Sequence, residues 1–228
     1  MEDGKKMNKL NILYEDNHVI VVIKPFNIPT QEDSSKDMDM LTIIKDYIKE
    51  KYNKPGNVYL GLVHRLDRPA SGVMVFAKTS KAASRLSDEV RNRIIKKTYL
   101  AVVHGKTKEE EKLVDYILKD NKTNNSYIDK NGKESILTYN RLKYDKESDL
   151  SLIKVDLETG RHHQIRLQMS NIGHALYGDQ RYGIQDKEQL ALYAYKLEFI
   201  HPVTKENMTF KQLPEQKGVW ELLEGVDL

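Results

Sequence analysis

Two apolar runs separated by a short polar turn constrain this chain more than any other feature. "YLGLV", Tyr59 to Val63, and "GVMVFA", Gly72 to Ala77, flank "HRLDRPAS". Short apolar runs bounded by turn residues read as buried strands. The turn carries one acid, Asp67, set between Arg65 and Arg68, and it closes with Pro69 and Gly72. An acid in a turn is ordinarily a turn-former or a cap. The two arginines add a second reading, because guanidinium groups suit phosphates.

The rest of the chain alternates between strand and helix patterns. "HVIVVIKP", His18 to Pro25, reads as a buried strand ended by proline. Leu41, Ile44, Ile48 and Tyr52 share one helical face. Ala82, Leu86 and Val90 share another, with Thr79 or Ser80 able to cap it. "KKTYLAVVHG" is a strand closed by glycine, and "SILTYNRLKY" and "LSLIKVDLE" alternate as antiparallel strands. Between them, "KDNKTNNSYIDKNGKE" has NG turn chemistry and reads as a hairpin or mobile excursion. Ile165, Met169 and Ile172 mark a third helix, and "LALYAYKLEFI" a further strand. The expectation is α+β: a single domain over residues 1–228, with a central mixed, largely antiparallel sheet flanked by helices and loops.

Composition bounds the function. A chain of 228 residues with 39% hydrophobic content is a soluble globular class. No apolar run is long enough to span a bilayer, and the N-terminal "MEDGKKMNKLNILYED" is not a signal peptide. The absence of cysteine excludes disulfides, thiolate metal sites and cysteine nucleophiles, and fits the cytoplasm. Net charge is only +3, yet Lys78, Lys81, Arg85, Arg91, Arg93, Lys96 and Lys97 are opposed by Asp88 and Glu89 alone. That bias suggests a polyanionic partner, against the plainer reading of a solvated helix face. No glycine-rich nucleotide loop occurs, so no cofactor is implied. His162, His163 and His174 lack the spacing of a metal motif, so no metal is expected.

A second dense stretch is "ETGRHHQIRLQMSNIGHALYGDQRYG". Arg166 lies there between Ile165 and Leu167, where a buried arginine needs an acid. Asp67 is a candidate. With "ILYEDNHVIVVIKPFNIPTQ", "HRLDRPASGVMVFAKT", "KKTYLAVVHG" and "LALYAYKLEFIHPVT", this stretch completes five ordered motifs that resemble the RluA-type pseudouridine synthases over about Ile12 to Leu213. The resemblance implies that family's fold and the isomerisation of uridine within RNA, ribosomal somewhat more than transfer RNA, by a monomer without cofactors. Asp67 matches the essential aspartate, Arg166 the arginine that pairs with it, and Tyr99 the tyrosine that lies against the uracil and assists loss of the C5 proton. Arg65 matches a position that fills the place of the flipped base. Lys24, Gln164 and Leu192 are carried over as pocket residues, and His64 and Arg161 as RNA contacts.

Departures exist. Tyr193-Ala194 stands where His-Ala is usual, which would concern substrate contacts, and Pro-Ala-Ser-Gly replaces the commoner Thr-Ser-Gly. The chain is expected to begin almost at the catalytic domain, without the S4 domain that many relatives carry, and the domain itself is then expected to grip RNA. Two alternatives stand beside the synthase: a non-catalytic RNA-binding module, and a hydrolase, which would need a second positioned carboxylate.

Overall fold

The computed structural model describes residues 10–120, 122–184 and 187–228. The expected strand at His18–Pro25 forms β2 (Val19–Lys24), paired antiparallel with β1 (Asn11–Glu15). "YLGLV" yields only β3 (Gly61–Leu62), where Gly61 is pressed so closely on Ala83 that an added Cβ would lie 2.7 Å away. "GVMVFA" becomes β4 (Ser71–Ala77), buried at every residue. The next strands are β5 (Lys96–His104), β6 (Glu110–Asp120), β7 (Asn125–Ile128), β8 (Lys133–Asp145), β9 (Leu150–Leu157), β10 (Leu192–Ile200) and β11 (Asn207–Lys211). They form one sheet in the order β1-β2-β4-β10-β5-β9-β8-β6-β7, with β11 on β10 and β3 on β4.

Every pairing is antiparallel except β4 with β10. That central parallel contact depends on Gly72. Its φ is +126°, and a Cβ there would fall 2.3 Å from the Ala194 carbonyl. The excursion anticipated at Lys119–Glu134 is the hairpin of β6 and β7 leading into β8.

Three helices cover the sheet. α1 (Met40–Lys51) is capped by Asp39, which accepts from the Thr42 amide, and buries Met40, Ile44 and Ile48. Tyr52 falls outside that face, at the exposed C-cap, with its hydroxyl on Glu15. α2 (Ser80–Arg91) is capped by Thr79 and buries Ala82 and Leu86, whereas Val90 stays half-buried. α3 (Gln164–Asn171) starts at His163, whose φ of 55° is unusual for a side-chain-bearing residue. A 3₁₀ helix (Gly218–Leu223) closes the chain and puts Trp220 edge-on to Tyr193. Tyr193 therefore packs in the core opposite the cleft described below. The departure from the family pattern that was expected to concern substrate contacts thus falls on a core position outside the cleft lining, because side chains alternate faces along β10. No helix among the described residues is long and apolar enough to cross a membrane.

The turn between β3 and β4 is held by its carbonyls. Thr30 Oγ1 donates to Leu66 O (2.8 Å), Lys24 Nζ to Arg68 O (3.0 Å) and Gln189 Nε2 to Pro69 O (2.7 Å). Lys24 also donates to Pro25 O at 2.9 Å. Lys24 is fully buried, and burial pushes its pKa down to about 7, against the pull of Asp67. A neutral amine still has the two N–H donors these carbonyls require.

A stability prediction follows from the proton count. Between about pH 7 and 10.5 the unfolded chain keeps a proton that folded Lys24 has shed, so stability rises with pH through that window. The rise reaches up to about 1.4 kcal/mol per pH unit. Lys24→Met should lack this component. Urea midpoints of both proteins from pH 7 to 10 check it; parallel profiles would mean that the folded amine keeps its proton.

Candidate active site

Asp67 sits at the head of the pinned turn, where Ala70 N donates to its carbonyl (3.0 Å). The turn opens onto a cleft of about 1450 Å³ that also receives β5, β10, the β6–β7 hairpin and the N-terminus of α3. Small-molecule pockets usually enclose about 300–1,000 Å³, so this one suits a larger ligand. Nine lysines and arginines line it against three aspartates and glutamates. That local excess is greater than the whole chain's net +3, so the remainder of the molecule is net negative. The basic stretch anticipated from Lys78 to Lys97 divides. Lys78 pairs with Glu15 and Arg85 bonds Pro202 O, while Arg91, Arg93 and Lys97 reach the cleft.

Arg166 is buried as expected, but its main partner is not Asp67. Nε and Nη2 form a fork on Asp179, at 2.8 and 2.7 Å. Nη1 reaches Asp67 Oδ2 at a long 3.4 Å. The two short, parallel, charge-assisted bonds dominate over the single long one. Burial opposes the charged form of Asp179, yet Arg166 and the Tyr182 and Arg181 amides outweigh it and hold the carboxyl below its ordinary range. Burial likewise opposes the Arg166 cation, and Asp179 and then Asp67 outweigh it. Asp179 was not singled out from sequence. The signal was present in "YGDQRYG", an acid next to Gly178, whose φ of +72° and backbone approach to Gln189 leave no room for a side chain.

His163 is the other missed neighbour. Its Nε2 lies 3.8 Å from Asp67 Oδ2 and its Nδ1 2.9 Å from the Tyr182 hydroxyl. Tyr182 accepts from Ser126 N, which frees its own proton for Nδ1 and assigns the imidazole proton to Nε2, facing Asp67. Burial pushes His163 down to about pKa 3, and His162, stacked on it at 3.7 Å, down to about 4. Both are neutral at physiological pH. His174 lies apart, on the His104 carbonyl.

Asp67 thus has one oxygen turned to Arg166 and His163, while no protein donor among the described residues reaches its Oδ1. Its side chain is 22% exposed, toward the cleft. Tyr99 on β5 and Leu192 on β10 supply an apolar wall of the same cleft. Tyr99 is only 6% exposed. Burial, then the Asp67 charge, pushes its hydroxyl above the ordinary phenol value, so it stands as a neutral phenol and an aromatic face.

The other expected residues divide. Arg65 is exposed at the cleft rim with no protein partner among the described residues. Arg161 lines the cleft and donates from Nε to Glu134 O. Arg68 is drawn off to Ser35, Asp33 and Asp37, so it is not a free phosphate ligand. Lys24 lies beneath the turn and does not line the cleft. Gln164 borders it, but its amide is saturated: it accepts from Thr159 and Arg161 and donates to Ile136 O and Gln168. It holds the loop before α3 and offers no free group. His64 Nε2 accepts from Val75 N (3.1 Å), and burial and then Lys97 push its pKa down to about 3, so it supports the turn as a neutral ring.

Comparison with known proteins identifies the family. The family model for RNA pseudouridylate synthase matches residues 18–171. YjbO of Bacillus subtilis, an uncharacterized RNA pseudouridine synthase, is 37% identical over 226 residues, 95% of this chain and 76% of its own length. Ribosomal large subunit pseudouridine synthase C of Buchnera aphidicola is 36% identical over 86% of this chain and 64% of its own length. tRNA pseudouridine synthase C of Haemophilus influenzae is 31% identical over 93% of this chain and 99% of its own length. The chain thus spans about two thirds to three quarters of the first two relatives and nearly all of the third. The human RNA Pseudouridylate Synthase Domain Containing 1 structure shares the fold, with a TM-score of 0.75 at 24% identity over 95% of this chain and 87% of that one. The extent of the family match and these identities establish that the chain belongs to the RNA pseudouridylate synthases, isomerases that act on RNA.

Proposed function

We propose that Asp67 carries out uridine isomerisation on an RNA strand held in the basic cleft. The supporting observation is one carboxylate with an oxygen on Arg166 and the other open to the cleft, beside Tyr99 and Leu192. The reaction breaks the N1–C1′ bond, turns the uracil, and joins C5 to C1′. N1 gains a proton and C5 loses one, with no net change in atoms. Asp67 acts on the ribose, as a nucleophile at C1′ or as a base toward the sugar. Tyr99 gives the turning uracil a flat apolar surface, and stacking of this kind is worth about 1–3 kcal/mol per base. That offsets part of the few kcal/mol that flipping costs, with Arg65 placed at the rim to fill the vacated position.

A hydrolase reading is disfavoured by the second carboxylate near Asp67. Asp179 is fully buried and committed to the Arg166 fork, so it cannot activate a water beside the sugar. A binding-only module would not need the open Asp67 oxygen. For the RNA, we favour large-subunit ribosomal RNA. One relative is named for that substrate and another for tRNA. Mapping pseudouridines in RNA from a strain lacking this protein decides between them.

Release of tritium from RNA labelled at uracil C5 tests the chemistry. Asp67→Asn should lower release by about 10³-fold or more while RNA affinity stays within about threefold; residual turnover within about tenfold of wild type would remove Asp67 from the reaction. Arg65→Met should lose activity on structured RNA and recover most of it when the target uridine is already unpaired. An equal loss on both substrates would contradict a flipping role. Asp179→Asn should act through Arg166, lowering kcat by about 10–100-fold at unchanged RNA affinity, measured well below the variant's reduced melting temperature.

A further inference from the structure

Most cations in the cleft already have protein partners. Arg68 is held by Asp33 and Asp37, Arg91 by Asp88, Arg93 by Glu134, Arg166 by Asp179, and Arg181 by Asn124 and Asn125. Arg161 bonds the Glu134 carbonyl. Among the described residues three have none: Arg65, Lys119 and Lys97. Arg65 and Lys119 are exposed, where water solvates the charge. Lys97 is half-buried, on the same face of β5 as Tyr99, and burial lowers its pKa.

The acids around Lys97 are committed elsewhere. Asp156 accepts from Thr98 Oγ1 (2.7 Å), Glu158 pairs with Lys112 (2.9 Å) and Glu198 with Lys196 (2.8 Å). His64, whose pKa Lys97 helps to depress, is neutral. Gly160 keeps the space over the ammonium clear, since a Cβ there would lie 3.2 Å from Lys97 Nζ. Lys97 also borders a second groove of about 330 Å³, which adjoins the cleft through Arg93, Ile95, Leu157 and Glu158. A chain leaving the cleft by this groove passes Lys97.

We propose that Lys97 is a phosphate site that holds the phosphodiester next to the target uridine. The inference rests on the reading of the cleft as an RNA site. Arg166 is already neutralised by Asp179 and Asp67, so it offers no free charge to a flanking phosphate, whereas Lys97 does. A half-buried ammonium without a counter-ion is unfavourable until an anion arrives, and a neutral uracil carbonyl does not neutralise it.

The probe is a synthetic RNA stem-loop carrying the mapped uridine, with a neutral methylphosphonate placed on its 5′ or its 3′ side. Wild type should lose about tenfold in affinity for one of the two. Lys97→Met should bind the unmodified RNA about as weakly and lose little more on that modified one, because both changes remove the same contact. The slope of log K against log salt should shrink by about 0.7 in the variant and be retained by Lys97→Arg. The melting temperature of Lys97→Met should equal or exceed that of wild type, because an unpaired buried charge is gone. Three results would overturn the proposal: an unchanged salt slope, an additive loss on both modified RNAs, or a lower melting temperature with unchanged RNA affinity. A wild type that neither binds RNA nor releases tritium would instead defeat the functional reading on which this one stands.

Discussion

A guanidinium that water cannot reach must be neutralised by the protein, and Arg166 is neutralised by two carboxylates from distant parts of the chain. Asp179, from the segment after α3, takes the fork, and Asp67, from the turn between β3 and β4, takes one N–H of Nη1. The asymmetry matters. A carboxylate bound as tightly as Asp179 would have no oxygen left for a substrate, whereas Asp67 is held by one long bond and stays reachable. The same cation thus fixes α3 against the following loop and orients the group that faces the cleft. Stacking of the Arg166 guanidinium over the Tyr182 ring, at 5.4 Å, extends this support to His163 through the Tyr182 hydroxyl.

That orientation depends on the turn being held from several sides. Side chains donate to three carbonyls of the turn, those of Leu66, Arg68 and Pro69, from three separate segments. Such a loop is positioned nearly as firmly as a strand, which is what placement of a catalytic group requires. Beyond it, the parallel contact of β4 with β10 brings the turn over the strand that carries Leu192, and Gly72 makes that approach possible. The arrangement is local where the sequence looks local and long-range where it looks featureless: Thr30 stands at the end of the opening motif, and Gln189 lies in a polar loop outside every motif.

The elements with clean periodicity were legible, including β2, β4, β5, the β8–β9 pair and α1 to α3. So were the residues named by their motif as facing a cleft, such as Asp67, Tyr99 and Leu192. Less legible was where a long side chain ends. Lys24 and Gln164 belong to the right motifs, yet one passes under the turn and the other spends its amide on backbone and neighbours. The need of Arg166 for an acid could be read from its apolar flanks, but the identity of that acid could not. Asp67 and Asp179 are both single acids beside glycine-containing turns, and only the left-handed backbone at Gly178 brings Asp179 into fork geometry. β11 and the terminal 3₁₀ helix were missed because neither has a strong period: one is a short edge strand and the other owes its place to Trp220 packing.

The cleft's charges also divide by mobility. Arginines with partners are fixed in direction, so they shape the field without adapting to a ligand; Arg65 and Lys119 are solvated and adaptable. A polyanion approaching such a surface is first drawn by the field, which acts over about a Debye length of 8–10 Å. It is then sorted by the few groups free to make contact. Asp67 faces the cleft with its charge shared with Arg166, and on the proposed reading the strand's phosphates are met by the unpaired cations and not by the paired Arg166. On that reading the cations gather the strand and Asp67 meets the flipped nucleoside.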